Sequence, residues 1–137
     1  MRKSSMTTEA KTEELDEVVA FVTQYLDEEG CPMKTRMEIE CAAEEIFVNI
    51  CYYAYPPDTG PVIISAEYRK DEKLLSVTFS DKGKPYDPLA KKDPDVAAAA
   101  QNDVLGGLGI FLTKKLMDHV SYQYLDGSNI LTIQKAV

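Results

Sequence analysis

The sequence predicts a two-layer α/β (α+β) sandwich: a mostly antiparallel mixed sheet with helices on one face. Three observations predict it. Two helical patterns come early, at 12–29 and 33–54. Two strand pairs joined by polar turns follow, at 62–80 and 119–135. Nothing repeats internally, so the 137 residues read as one domain, 1–137, long enough to bury a real core.

Each element has its own justification. Residues 6–10 (MTTEA) read as a short edge strand. Over 12–29, Leu15, Val18, Val19, Val22, Tyr25 and Leu26 recur at i, i+3, i+4, i+7 spacing, which makes one apolar helix face. Thr12 suits its start and Gly30 its end. Over 33–54, Ile39, Ala42, Ala43, Ile46, Ile50 and Tyr53 form a second stripe, and Pro56-Pro57 stops it. Val62 to Tyr68 is a strand. After a polar turn, Lys73 to Ser80 is its partner, with Leu75, Val77 and Phe79 on one face. The stretch from 81 to 105 holds prolines, lysines and aspartates with little period. Loops that long are usually lids, here about 82–105, and Pro94–Gln101 suits a short helix within it. A helix to about Met117 comes next. The last strands, His119–Leu125 and Asn129–Lys135, flank Asp126-Gly127, a strong hairpin signal.

Composition narrows the function. The formal net charge is −8, which repels nucleic acid and anionic lipid and favours a protein partner or a small ligand. No run of apolar residues is long enough to span a membrane. The segment MRKSSMTTEAKTEE lacks the apolar centre of a secretory signal. Cys31, Cys41 and Cys51 are an odd set, which with no secretion signal predicts reduced thiols in the cytoplasm. There is no CxxC and only one histidine, His119, so a Cys/His metal site is not expected. His119 itself reads as structural or solvent-facing.

Three clusters could carry chemistry. Glu45 and Asn49 are one helical turn apart and border the apolar stripe of 33–54. An amide oxygen is a suitable hard ligand for Mg²⁺, and a carboxylate can act as a general base. The spacing alone fits two solvated surface groups better, since charged residues are mostly exposed. The second cluster is Asp81-Lys82-Gly83-Lys84-Pro85-Tyr86-Asp87-Pro88, at a strand end. Its composition fits a plain turn. It also fits a pocket floor, where a buried Asp81 carboxylate, an acceptor only, would take the amine of adenine and reject the guanine carbonyl. The third is Gly106-Gly107-Leu108-Gly109 ahead of a helix. Helix N-termini bind anions, and glycines let backbone approach phosphate. The strict phosphate motifs do not match, so taken alone GGLG also fits simple helix-start geometry.

The order of these pieces, E-x-x-x-N, then D-x-G, then a lid, then GGLG, resembles the GHKL (Bergerat-fold) ATP-binding family. Within it the chain most resembles small bacterial anti-sigma factor serine/threonine kinases. The resemblance covers the chain from about Glu9 onward and rests on EEIFVNICYYAY (44–55), SDKGKPYDP (80–88), GGLGIFLTKKLMDHVSY (106–122) and NILTIQK (129–135). It implies ATP and Mg²⁺ as cofactors. Asn49 would coordinate Mg²⁺, and Glu45 would activate a protein serine or threonine hydroxyl. Asp81 would bind the adenine amine, with Gly83 letting the base pack close. Gly107, Leu108 and Gly109 would present N–H groups to the phosphates, with Gly106 as the lid hinge. Thr132 would be a polar neighbour of the adenine, and Lys91 or Lys92 would reach phosphate from the lid. Ile50, Tyr53 and Pro85 depart from the family's common residues without removing a proposed chemical group. The implied partners are a STAS-type anti-sigma factor antagonist, a sigma factor and a second copy of the chain. The alternative is a nucleotide-gated binding module of the same fold without useful kinase activity.

Overall fold

The computed structural model describes residues 1–90 and 106–137. In chain order it has β1 (Arg2–Glu9), α1 (Leu15–Val22), α2 (Met33–Tyr53), β2 (Pro61–Arg69), β3 (Leu74–Asp81), α3 (Gly106–Leu116), β4 (His119–Leu125) and β5 (Ser128–Ala136). The strands make one sheet in the order β1-β2-β3-β5-β4. Every pairing among the described residues is antiparallel, so the expected mixed sheet is corrected to an antiparallel one. The cause is topological. The α1–α2 pair carries the chain out and back, so β2 begins beside the end of β1, with Glu9 opposite Pro61. The Pro94–Gln101 helix and the lid beyond Ala90 lie outside the described residues.

The first helix is shorter than its apolar spacing predicts. A 3-10 turn at Thr12–Glu14 leads into α1, which stops at Val22. Thr23 turns its hydroxyl back onto the Val19 carbonyl at 2.9 Å, a bond that competes with helix continuation. The chain then turns to Gly30, whose φ of +67° suits glycine. Tyr25 and Leu26 are still buried, so burial outlasts the helix. The helix α2 matches its expected span closely. It buries Ile39, Ala42, Ala43, Ile46 and Phe47 on the sheet.

Strand alternation divides the sheet into two faces. Val62, Ile64, Ala66, Val77, Phe79, Leu131 and Ile133 are buried beneath the helices. Fully burying an Ile or Phe is worth about 1.5–3 kcal/mol, so this face is a large favourable contribution to folding. The opposite face is polar. One row crosses all five strands as Ser5, Ser65, Thr78, Thr132 and Ser121, hydroxyl beside hydroxyl. The β4–β5 turn has positive φ at Asp126 (52°) and Gly127 (81°), the two-residue hairpin geometry that Asp-Gly predicts. At the end of α3, Lys135 Nζ donates to the Leu116 carbonyl at 2.6 Å, satisfying one of its open acceptors. No helix among the described residues is long and apolar enough to cross a membrane.

Candidate functional site

The ends of α2 and β3 and the starts of β5 and α3 meet at one edge of the helix layer. They frame two neighbouring spaces. A hollow of about 410 Å³, counting its open mouth, is lined by apolar Ile46, Ile50, Ala54, Phe79 and Leu131, and by polar Asn49, Asp81 and Asn129. A groove between α2 and α3 is lined by Glu45, Val48, Asn49, Tyr52, Tyr53, Gly109 and Ile110. Asn49, Tyr53 and Ile110 line both, so the two adjoin.

The hollow has a polar floor on an apolar wall. Asp81 ends β3 on the helix-facing side and is 5% exposed. Its Oδ1 accepts from the Gly83 N–H at 2.9 Å and from Asn129 Nδ2 at 2.9 Å. Among the described residues no donor reaches Oδ2, which leaves it an open acceptor. Segment 82–88 straps the mouth. Lys84 donates its N–H to the Ala54 carbonyl at 2.8 Å and its Nζ to the Pro56 carbonyl at 3.1 Å. The Tyr86 ring stacks on Tyr53, with centroids 5.1 Å apart and planes 15° apart. Tyr55 holds the strap's root: its hydroxyl accepts from the Lys82 N–H at 2.7 Å.

In the groove, Glu45 and Asn49 lie on the flank of α2 that faces α3. Asn49 Oδ1 is buried with no hydrogen-bond partner among the described residues. An orphaned buried acceptor costs about 1–3 kcal/mol, which a bound group could relieve. Glu45 is half-buried, and its carboxyl is raised above the usual carboxylate range, first by burial and then by the charge of Glu44. A Cβ built on Gly109 would overlap the Glu45 carboxylate, so the first turn of α3 rests directly against this side chain. That turn, residues 106–109, carries the N–H groups that a helix leaves open at its start. A direct check of the Glu45 environment is Glu44→Gln. Removing a neighbouring negative charge should lower the Glu45 pKa, while burial keeps it above the ordinary value. Carboxyl-carbon NMR titration reads this, and an unchanged midpoint would show Glu44 to be too well screened to matter.

The residues fit a magnesium nucleotide. Mg²⁺ takes few protein ligands and fills its sphere with phosphate oxygens and waters, and Asn49 Oδ1, unpartnered among the described residues, would suit such a role. Among the described residues no group of three His, Cys, Asp or Glu could hold a metal alone. The thiols offer no nucleophile, since burial pushes Cys51 to about 11 and raises Cys31 and Cys41.

The structure therefore brings Glu45, Asn49 and Gly109 into one groove, with Asp81 in the adjoining hollow. Gly106, Gly107 and Leu108 open α3 beside them. One expectation changes. Thr132 points away: it lies on the open hydroxyl face and pairs with Thr78 Oγ1 at 3.1 Å. Asn129, three residues earlier and directly opposite Asp81, is the polar neighbour of that carboxylate instead. Gly83 lies against the Ala54 backbone, where a Cβ would collide. His119 is exposed at the start of β4, as expected. Lys91 and Lys92 lie outside the described residues. Asn129 and Tyr86 escaped the sequence reading. Asn129 was discoverable, because it occupies the apolar parity of β5, in step with Leu131 and Ile133.

A helix-covered antiparallel sheet with this hollow at one end is a two-layer α/β sandwich. Residues 8–135 match the histidine kinase-like ATPase domain model, and the chain belongs to that family, the GHKL group. The serine/threonine-protein kinase BtrW of Bordetella bronchiseptica is 31% identical over 100 residues, which is 73% of this chain and 70% of BtrW. The serine-protein kinase RsbW of Listeria monocytogenes is 31% identical over 98 residues, 69% of this chain and 62% of RsbW. Two solved structures share the fold. The RsbU and RsbW domains of Rv1364c from Mycobacterium tuberculosis match 98% of this chain and 32% of that one, with a TM-score of 0.68 at 15% identity. The SiaB–SiaC complex from Pseudomonas aeruginosa matches 98% and 89%, with a TM-score of 0.63 at 15% identity.

Proposed function

We propose that this chain is an ATP- and Mg²⁺-dependent serine/threonine protein kinase of the anti-sigma factor type. It phosphorylates a STAS-type anti-sigma factor antagonist and, in its other partner state, sequesters a sigma factor, working in the cytoplasm as a homodimer. The observation that carries this reading is that the Asp81 hollow adjoins the Glu45–Asn49 groove, which would give a base and its phosphates neighbouring places. The names of BtrW and RsbW support the kinase half. The net charge of −8 supports protein rather than nucleic-acid partners.

The bound nucleotide supplies the phosphoryl group, and its metal balances the phosphate charge. The chain's own residues do the rest. Asp81 Oδ2 accepts from the purine amine. Asn49 Oδ1 holds the metal, which ends its isolation. The first N–H groups of α3 bind phosphate oxygens. Glu45 takes the proton of the substrate hydroxyl, and its raised pKa makes it a stronger base than an exposed glutamate. Transfer then needs ionised Glu45, so activity should rise as pH rises through that pKa. The test is radiolabelled ATP with candidate STAS-type antagonists. Label on an antagonist serine or threonine supports the reading. Tight ATP binding with no transfer to any of them leaves the binding-module alternative in its place.

A further inference from the structure

We infer that Asn129 is a positioning residue for adenine recognition: its amide fixes the Asp81 carboxylate and ties it to the strap over the hollow. This rests on the nucleotide reading above. Asn129 is 6% exposed, and its side chain is saturated with hydrogen bonds. Its Nδ2 donates to Asp81 Oδ1 at 2.9 Å and to the Lys84 carbonyl at 2.9 Å. Its Oδ1 accepts from the Tyr86 N–H at 3.1 Å and from the Tyr122 hydroxyl.

Only one orientation of the amide works. Reversed, its oxygen would face the Asp81 carboxylate and the Lys84 carbonyl, both acceptors, and its NH₂ would face the Tyr86 N–H, a donor. Two donors from one side chain therefore hold a strand end and a strap residue at once. The Gly83 N–H takes the other approach to Asp81 Oδ1. With Oδ1 occupied from both sides, the carboxylate cannot rotate freely, and Oδ2 is presented as the single open acceptor. An open acceptor pairs with a 6-amino purine and repels a 6-oxo purine. Asn129 thus sets discrimination between adenine and hypoxanthine nucleotides without touching the base amine. No hydroxyl or carboxyl side chain of this size supplies two donors and two acceptors in these directions.

The experiment measures ATP and ITP affinity by calorimetry with Mg²⁺ on the full chain. Wild type should favour ATP at least tenfold. Asn129→Asp keeps the size and both acceptor bonds but loses both donors and sets a second carboxyl beside Asp81. It should weaken ATP about tenfold or more and leave ITP within about twofold, so the preference collapses. A merely structural role would weaken both nucleotides together. Tyr122→Phe removes only one bond that orients the amide and keeps the ring. It should shift the ATP/ITP ratio the same way by a smaller factor, and it serves if Asn129→Asp does not fold. Asp81→Asn separates the layers of the argument. If it collapses the preference while folded Asn129→Asp or Tyr122→Phe keeps the wild-type ratio, the role of Asn129 is overturned. If Asp81→Asn also keeps that ratio, the placement of the purine is overturned and the role of Asn129 with it.

Discussion

Glu45→Gln should abolish phosphate transfer while leaving ATP bound. The glutamine is isosteric, so α3 still packs against it through Gly109. What it loses is the lone basic oxygen pair. Removing a general base lowers the rate by roughly 10²- to 10⁴-fold. ATP affinity should stay level or tighten slightly, because a negative group beside the proposed phosphate site is gone. Single-turnover transfer of label and calorimetry on the same preparation measure the two halves. Transfer within threefold of wild type would remove Glu45 from the chemistry.

The second large effect separates two glycines. Alanine at Gly83 puts its Cβ into the carbonyl oxygen, carbonyl carbon and Cβ of Ala54. Those atoms end α2 and cannot swing aside, so the strap must lift. The Lys84 N–H bond to Ala54 and the Gly83 N–H bond to Asp81 are both at risk. Overpacking of this kind costs about 1–3 kcal/mol, which lowers the melting temperature by roughly 5–10 °C in a chain of this size. ATP binding should fail with it. Alanine at Gly109 meets only the carboxylate end of Glu45, a side chain that can turn away. It should melt near wild type yet transfer phosphate poorly, because the base is displaced. Thermal unfolding and transfer assays on both variants read the contrast. Equal melting losses would mean that α3 is as rigidly seated as the strap.

The hairpins and the long second helix were legible because they rest on local signals. Asp126-Gly127 sets its own turn, and the apolar stripe of α2 has one period throughout. The first helix was overextended because Tyr25 and Leu26 remain buried after the backbone leaves the helix, and spacing reports burial rather than hydrogen bonding. Glu45, Asn49, Asp81 and Gly109 were found through motif order, and the fold brings them together. Thr132 failed on parity: three residues along a strand reverses the face. Gly83 was identified as special for a base, while the helix end it accommodates is distant in sequence and visible only in the packing. The Tyr53–Tyr86 stack also joins remote segments, so no local pattern announces it.

The order β1-β2-β3-β5-β4 has a consequence for synthesis. β5 follows the other four strands in the chain, yet it is an interior one, and among the described residues β4 pairs with it alone. Until Ser128–Ala136 emerge, β4 lacks that partner, β3 has a bare edge and Asp81 lacks Asn129. A chain interrupted before them therefore carries helices, a hairpin and most of its motifs but no finished hollow. On the proposed reading, a nucleotide would then favour the completed fold over every shorter product.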